Sequence, residues 1–157
     1  MSKLVDKFDD ISLEIIFLKN ELTELEKEKS SFEQWLPFEM HFQAGEEQYN
    51  YAKETAQAFN LFEIERFIEK LQEIIETKES GGEITAFEFS NLDASFDLNF
   101  YDPLEEGKIY VDFWINLGTY YPEKEIGYNK GYRFIVTIAC LKQFVESLSE
   151  YKNSILK

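Results

Sequence analysis

Cysteine, histidine and proline are nearly missing from this chain, with one Cys, one His and three Pro in 157 residues. The single Cys140 excludes an intramolecular disulfide framework and fits a reducing compartment. It stands where a strand pattern runs into a helix pattern, which suits a small buried residue rather than a reactive thiol. The single His41 has no second imidazole with which to share a metal, and no serine or cysteine at a spacing that makes it a nucleophile's base. It reads as a solvent-facing strand residue. Basic residues are also scarce. Sixteen Lys and Arg stand against 31 Asp and Glu, for a net charge of -15. The acidity is spread along the chain, 19 acids to 9 bases in residues 1–80 and 12 to 7 in residues 81–157. A field of that sign repels nucleic acid and anionic membrane and draws in a basic partner; it also keeps an aromatic-rich protein in solution.

Long apolar runs are lacking too. None reaches the length of a signal peptide core or a membrane span, so a soluble cytoplasmic protein is expected. No glycine-rich loop precedes a helix; Gly81-Gly82 follows one, where it serves as a stop and not as a phosphate cradle. With so many carboxylates, apparent acidic pairs arise by chance. No cofactor is expected. The one pair that strand geometry brings near, Asp97 and Asp112, is a possible cation or basic-side-chain site, and it defines the alternative of a small acidic-site enzyme or metal-binding domain.

Aromatic residues are abundant, with 15 Phe, 9 Tyr and 2 Trp. At this length they suit one globular domain over residues 1–157 with a substantial core. The central stretch is Lys108–Leu117, KIYVDFWINL. Ile109, Val111, Phe113, Ile115 and Leu117 alternate with Tyr110, Asp112, Trp114 and Asn116, the two-residue period of a strand with one apolar and one aromatic-polar face. Similar alternation marks residues 8–19, Trp35–Gln43 with Pro37 near its start, Gln48–Thr55 beyond a turn at Gly45, Glu83–Ser90, Ser95–Tyr101 and Tyr132–Ile138. Asn20–Gln34, rich in Glu and Lys, reads as an exposed connector or short surface helix.

Asn60–Thr77 is a helix with a capping box from Asn60 and Glu63 and an apolar stripe of Leu61, Ile64, Phe67, Ile68, Leu71, Ile74 and Ile75. A second amphipathic helix follows the last strand, with Leu141, Phe144, Val145, Leu148 and Tyr151 on one side. Short connections between successive strands favour antiparallel pairing. The expected fold is α+β, an antiparallel sheet of about six to seven strands with two amphipathic helices packed on one face. That leaves an outward row of Asp97, Asn99, Tyr101, Tyr110, Asp112, Trp114, Asn116 and Arg133, beside a long loop from Gly118 to Gly131 that keeps three tyrosines, Tyr120, Tyr121 and Tyr128.

The order of these parts resembles a family. A capped helix ending in glycine is followed by FEFSNLDASFDLNFYDPLEEGKIYVDFWINL, a tyrosine-bearing loop and YRFIVTIACLKQFVESL, with Leu141, Phe144 and Leu148 at Leu-x-x-Phe-x-x-x-Leu spacing and an earlier strand WLPFEMHF. From about Leu61 to Leu148 the chain is similar to the WapI-type immunity proteins that bacteria encode beside polymorphic contact-dependent toxins. The resemblance implies a small, non-catalytic cytoplasmic protein that neutralises a toxin domain by binding it, and brings no catalytic residues with it. On that reading the residues at the partner are Tyr110, Asp112, Trp114, Tyr120, Tyr121 and Tyr128, and the acidic charge suits a basic toxin. Two further readings stay open: rings on a solvated sheet that only stabilise it, and a sheet face hidden in a homodimer.

Overall fold

The computed structural model describes residues 2–18, 30, 33, 35–52, 59–90, 96–117 and 129–155. Within them the order is β1 (Ser2–Val5), β2 (Ile11–Phe17), β3 (Trp35–Leu36), β4 (Phe38–Ala44), β5 (Glu47–Ala52), β6 (Phe59–Asn60), α1 (Leu61–Glu79), β7 (Phe87–Ser90), β8 (Phe96–Tyr101), β9 (Lys108–Asn116), β10 (Asn129–Thr137) and α2 (Ile138–Ile155). The α+β class and the antiparallel pairing are as expected. The strands are more numerous, ten among the described residues, and fall into two four-stranded sheets, β1-β2-β4-β5 and β10-β9-β8-β7, with β3 and β6 as a two-stranded ribbon. Alternation in a sequence tells which side chains point inward; it carries no information on which strands share a sheet.

The inward rows follow the pattern. Leu13, Ile15 and Phe17 of β2, Phe38, Met40 and Phe42 of β4, Phe96, Leu98 and Phe100 of β8, and all five apolar residues from Ile109 to Leu117 are buried. The two sheets bring these rows together: Phe42 lies 4.7 Å from Phe113 and Phe38 lies 6.3 Å from Phe96 between ring centroids. Phe59 of the short ribbon sits among Phe17, Phe38, Phe89 and Phe96 and so touches rings of both sheets. The sheets are also joined through the backbone just after β1. The Lys7 N–H donates to the Ile135 carbonyl at 2.9 Å, and the buried Asp6 carboxylate accepts from the Ile135 N–H at 3.1 Å.

Helix α1 begins with the expected capping box, Asn60 Oδ1 accepting from the Glu63 N–H at 2.8 Å while the Glu63 carboxylate accepts from the Asn60 N–H. Its buried residues are the seven of the apolar stripe. Phe67 packs against Phe87, Phe89 and Phe100 of β7–β8 and against Phe144 of α2, so the helices lie side by side on the core. Several boundaries differ from expectation. The strand expected over residues 8–19 runs Ile11–Phe17, with β1 before it; the strand expected over Trp35–Gln43 is divided at Pro37 into β3 and β4, which lie in different sheets; residues 83–86 are not strand; and β10 starts at Asn129 and hands over to the helix at Ile138. The connector at residues 20–34 lies almost wholly outside the described residues, as do Tyr120, Tyr121 and Tyr128.

Candidate functional surface

The outer face of the β7–β10 sheet is built by register. Across β8, β9 and β10 the facing residues are Asn99, Asp112 and Arg133 in one row, Asp97, Trp114 and Gly131 in the next, and Tyr101, Tyr110 and Ile135 on the other side. Glu88 of β7 continues the first row beyond Asn99. Cross-strand neighbours on one face stand close enough for direct side-chain contact.

Asp112 and Arg133 form the centre. Arg133 Nε donates to Asp112 Oδ1 at 2.6 Å and Nη2 donates to Oδ2 at 2.8 Å, a two-pronged fork that engages both carboxylate oxygens. The guanidinium lies over the Tyr101 and Tyr110 rings, 5.7 and 5.5 Å from their centroids, within cation–π range. The Asp112 carboxylate stabilises the charged guanidinium and raises its pKa further. Asp112 is therefore only 7% exposed although its strand face points outward, whereas the Arg133 side chain stays 60% exposed. The Tyr101 hydroxyl reaches Glu88 at 3.4 Å, and burial, with the Glu88 charge behind it, pushes its pKa up.

Trp114 is the one large ring left open on this face, 41% exposed. It stands opposite Gly131, and a Cβ built on that glycine would meet three ring carbons at 2.5, 2.6 and 2.6 Å. Near-equal distances to adjacent ring atoms mean that the face of the indole, not its edge, covers the glycine backbone. Gly131 is thus required by a close approach, and the ring is held flat on the strand with its other side to solvent.

Tyr110, Asp112 and Trp114 are accordingly brought together on one surface. The Asp97–Asp112 site is not assembled: Asp97 faces Trp114, Asn99 faces Asp112, and Asp112 is taken by Arg133. Among the described residues no group of three or more His, Cys, Asp or Glu side chains is arranged to hold a metal ion. His41 lies on the outer face of the other sheet, between Asn50 at 2.8 Å and Glu39 at 3.2 Å. Arg133 was visible in the sequence only as one member of an outward row; its fork with Asp112 depends on a register across 21 residues that no local signal announces.

A second polar concentration was not foreseen. At the end of α1, Lys78 donates to Asp102 at 2.9 Å with both side chains buried, and Asp102 also accepts from the N–H groups of Ile84 and Leu104. Burial pushes the Asp102 carboxyl up, but the Lys78 ammonium and the two N–H donors outweigh it and hold it below the usual range. The carboxylate orders the 102–107 turn, in which Leu104 takes a left-handed backbone at φ 58°. It is a brace between helix and turn, and an open pocket of about 490 Å³ lies beside it.

Together, the α+β core carries one sheet face on which Tyr101, Tyr110 and Trp114 surround the hydrogen-bonded Asp112–Arg133 pair. A family model for the WapI-like immunity proteins matches residues 6–154, and the chain belongs to that family. The match extends well before Leu61, taking in every strand from β2 onward and both helices up to residue 154. A search of the curated proteins finds no match. No helix among the described residues is long and apolar enough to cross a membrane.

Proposed function

We propose that this protein neutralises a cognate bacterial toxin domain by binding it, without catalysis, through the outer face of the β7–β10 sheet. The observation that carries this reading is Trp114. A large ring, fixed flat over Gly131 and open to solvent, presents contact area whose ordering cost has already been met on folding. Tyr110 and Tyr101 extend the apolar surface, and the Asp112–Arg133 fork sets polar groups among the rings. Tyr120, Tyr121 and Tyr128, which lie outside the described residues, are proposed as further contacts with the partner. The net charge of -15 favours a basic partner and speeds its capture. The setting is the cytoplasm.

The test is a binding titration of the full chain with the product of the neighbouring gene, repeated with Trp114→Ala and Asp112→Lys. Each variant is expected to weaken binding by about tenfold or more, the second because it breaks the fork and places a cation among like charges on the partner. If both variants bind as the parent does, this face is not the interface.

A further inference from the structure

We infer that Arg133, which the sequence pattern alone does not single out, is the specificity-determining contact on this face, that Asp112 is its positioning residue, and that the group it takes is an uncharged acceptor, a main-chain carbonyl presented by a loop of a basic partner. The inference rests on the proposed function and assigns the chemistry of that same surface.

The geometry leads there in three steps. First, the fork uses Nε and Nη2 of Arg133, while Nη1 has no hydrogen-bond partner among the described residues. A guanidinium has five N–H groups in one plane, so pinning one edge on Asp112 aims the opposite edge outward. Second, the pinned side chain is already ordered. It lies over Tyr101 and Tyr110 and remains 60% exposed, whereas an ordinary surface arginine loses its rotamer freedom on binding. Arginine, tyrosine and tryptophan set side by side are the residue types that dominate interface energetics.

Third, the electrostatics choose the acceptor. Asp112 and Arg133 together are a neutral unit, Lys108 at the far end of β9 is paired with Glu105, and the charges left on this outer face are Glu88 and Asp97, neither with an ion-pair partner among the described residues. A partner carboxylate brought to Arg133 would meet a locally compensated cation inside the field of a -15 protein. A carbonyl oxygen carries no such penalty, and lysine or arginine side chains flanking it on the partner reach Asp97 and Glu88. Asp112 itself, only 7% exposed and with both oxygens engaged, acts through Arg133.

The experiment is a set of association and dissociation measurements against the neighbouring gene's product, at low and high salt, with melting curves to confirm folding. Arg133→Met, which keeps the apolar stem over the tyrosines, and Arg133→Lys, which keeps the charge but not the fork, are each expected to lose about tenfold in affinity, a loss that does not shrink at high salt. Asp112→Asn is expected to raise the dissociation rate severalfold and leave association nearly unchanged, a split that a merely structural role does not produce. Loss of binding by Trp114→Ala with Arg133→Met still within about twofold of the parent leaves the face standing and overturns the assignment of Arg133. A loss for Arg133→Met that shrinks at high salt identifies a carboxylate acceptor and overturns the carbonyl. Parent-like binding by Trp114→Ala, Arg133→Met and Arg133→Lys alike overturns the face and this inference together.

Discussion

The two four-stranded sheets have the same inner faces and opposite outer ones. Inside, each lines the common core with phenylalanine and branched aliphatic rows. Outside, the β1-β2-β4-β5 sheet carries the row Glu14, His41, Asn50, while the β7–β10 sheet carries Asn99, Asp112, Arg133. Both rows hold hydrogen-bonded polar side chains at the same kind of cross-strand spacing. Only the second is flanked by Tyr101, Tyr110 and Trp114. Polar pairing is therefore common to both outer faces, and the rings are what the proposed contact surface has in addition. Extra stability alone is a weak reason for an indole to stay open when the other sheet manages without one.

The comparison presupposes one core beneath both faces, and the largest expected effect tests that. Phe59→Ala removes a fully buried ring that touches Phe17 and Phe38 on one side and Phe89 and Phe96 on the other. The cost is about 3–5 kcal/mol, the usual figure for a buried Phe cut to Ala. Both sheets are expected to melt together in a single transition shifted to lower temperature, followed by circular dichroism and by tryptophan fluorescence. Two separated transitions would show that the sheets are independent units.

Gly131→Ala sharpens the difference between the faces. The added Cβ would lie 2.5 Å from the Trp114 ring, so the indole has to leave its place on the strand. Overpacking of this kind costs about 1–3 kcal/mol, and the displaced ring is expected to become more solvated, a red shift in fluorescence. If the Trp114 face is the interface, affinity falls with it while the core stays intact. Substituting Asn50 by Ala on the other sheet is expected to leave binding within about twofold of the parent, as for a residue outside the contact.

These expectations also mark where the sequence was informative. The inward rows, the capping box of Asn60 and Glu63 and the apolar stripe of α1 were legible because each is a local pattern of period 2 or 3.6. The division into two sheets was not, since Lys7 meets Ile135 across 128 positions and no propensity encodes that. The same holds for the candidate surface. Tyr110, Asp112 and Trp114 share a face because they alternate on one strand, which the sequence shows. That Asp112 is buried under Arg133, and that Gly131 exists to make room for Trp114, follows from pairing two distant strands in one register.

Asp112→Asn measures the fork's own contribution to folding. The variant keeps the shape and loses the carboxylate charge, so Arg133 retains one hydrogen bond, donated to an uncharged amide oxygen, in place of the fork to a carboxylate. Because the Arg133 side chain is 60% exposed, water compensates much of the loss, and a cost of about 1 kcal/mol or less is expected from chemical unfolding. A cost of several kcal/mol would mean that the fork serves the fold rather than the surface.

The smallest effect belongs to the polar row of the other sheet and takes the form of a pH dependence. His41 Nδ1 faces Asn50 Oδ1 and Nε2 faces a Glu39 carboxylate oxygen, two acceptors that are both satisfied when the ring carries both protons. The hydrogen bond to Asn50, with Glu39 behind it, raises the pKa above 6.5 in spite of partial burial. A folded-state pKa above the unfolded one means that the stabilisation is fully present below about pH 6.5 and is lost as pH rises through the folded value. The side chain is 39% exposed, so solvent screening keeps the contribution below about 1 kcal/mol. The measurement is the stability difference between the parent and His41→Gln, which is expected to shrink from about pH 6 to about pH 8 while Arg133→Met differs from the parent by a constant amount over that range. A gap that is flat for His41→Gln would show that its row, unlike the Asp112–Arg133 row, does not hold its charge against Glu39.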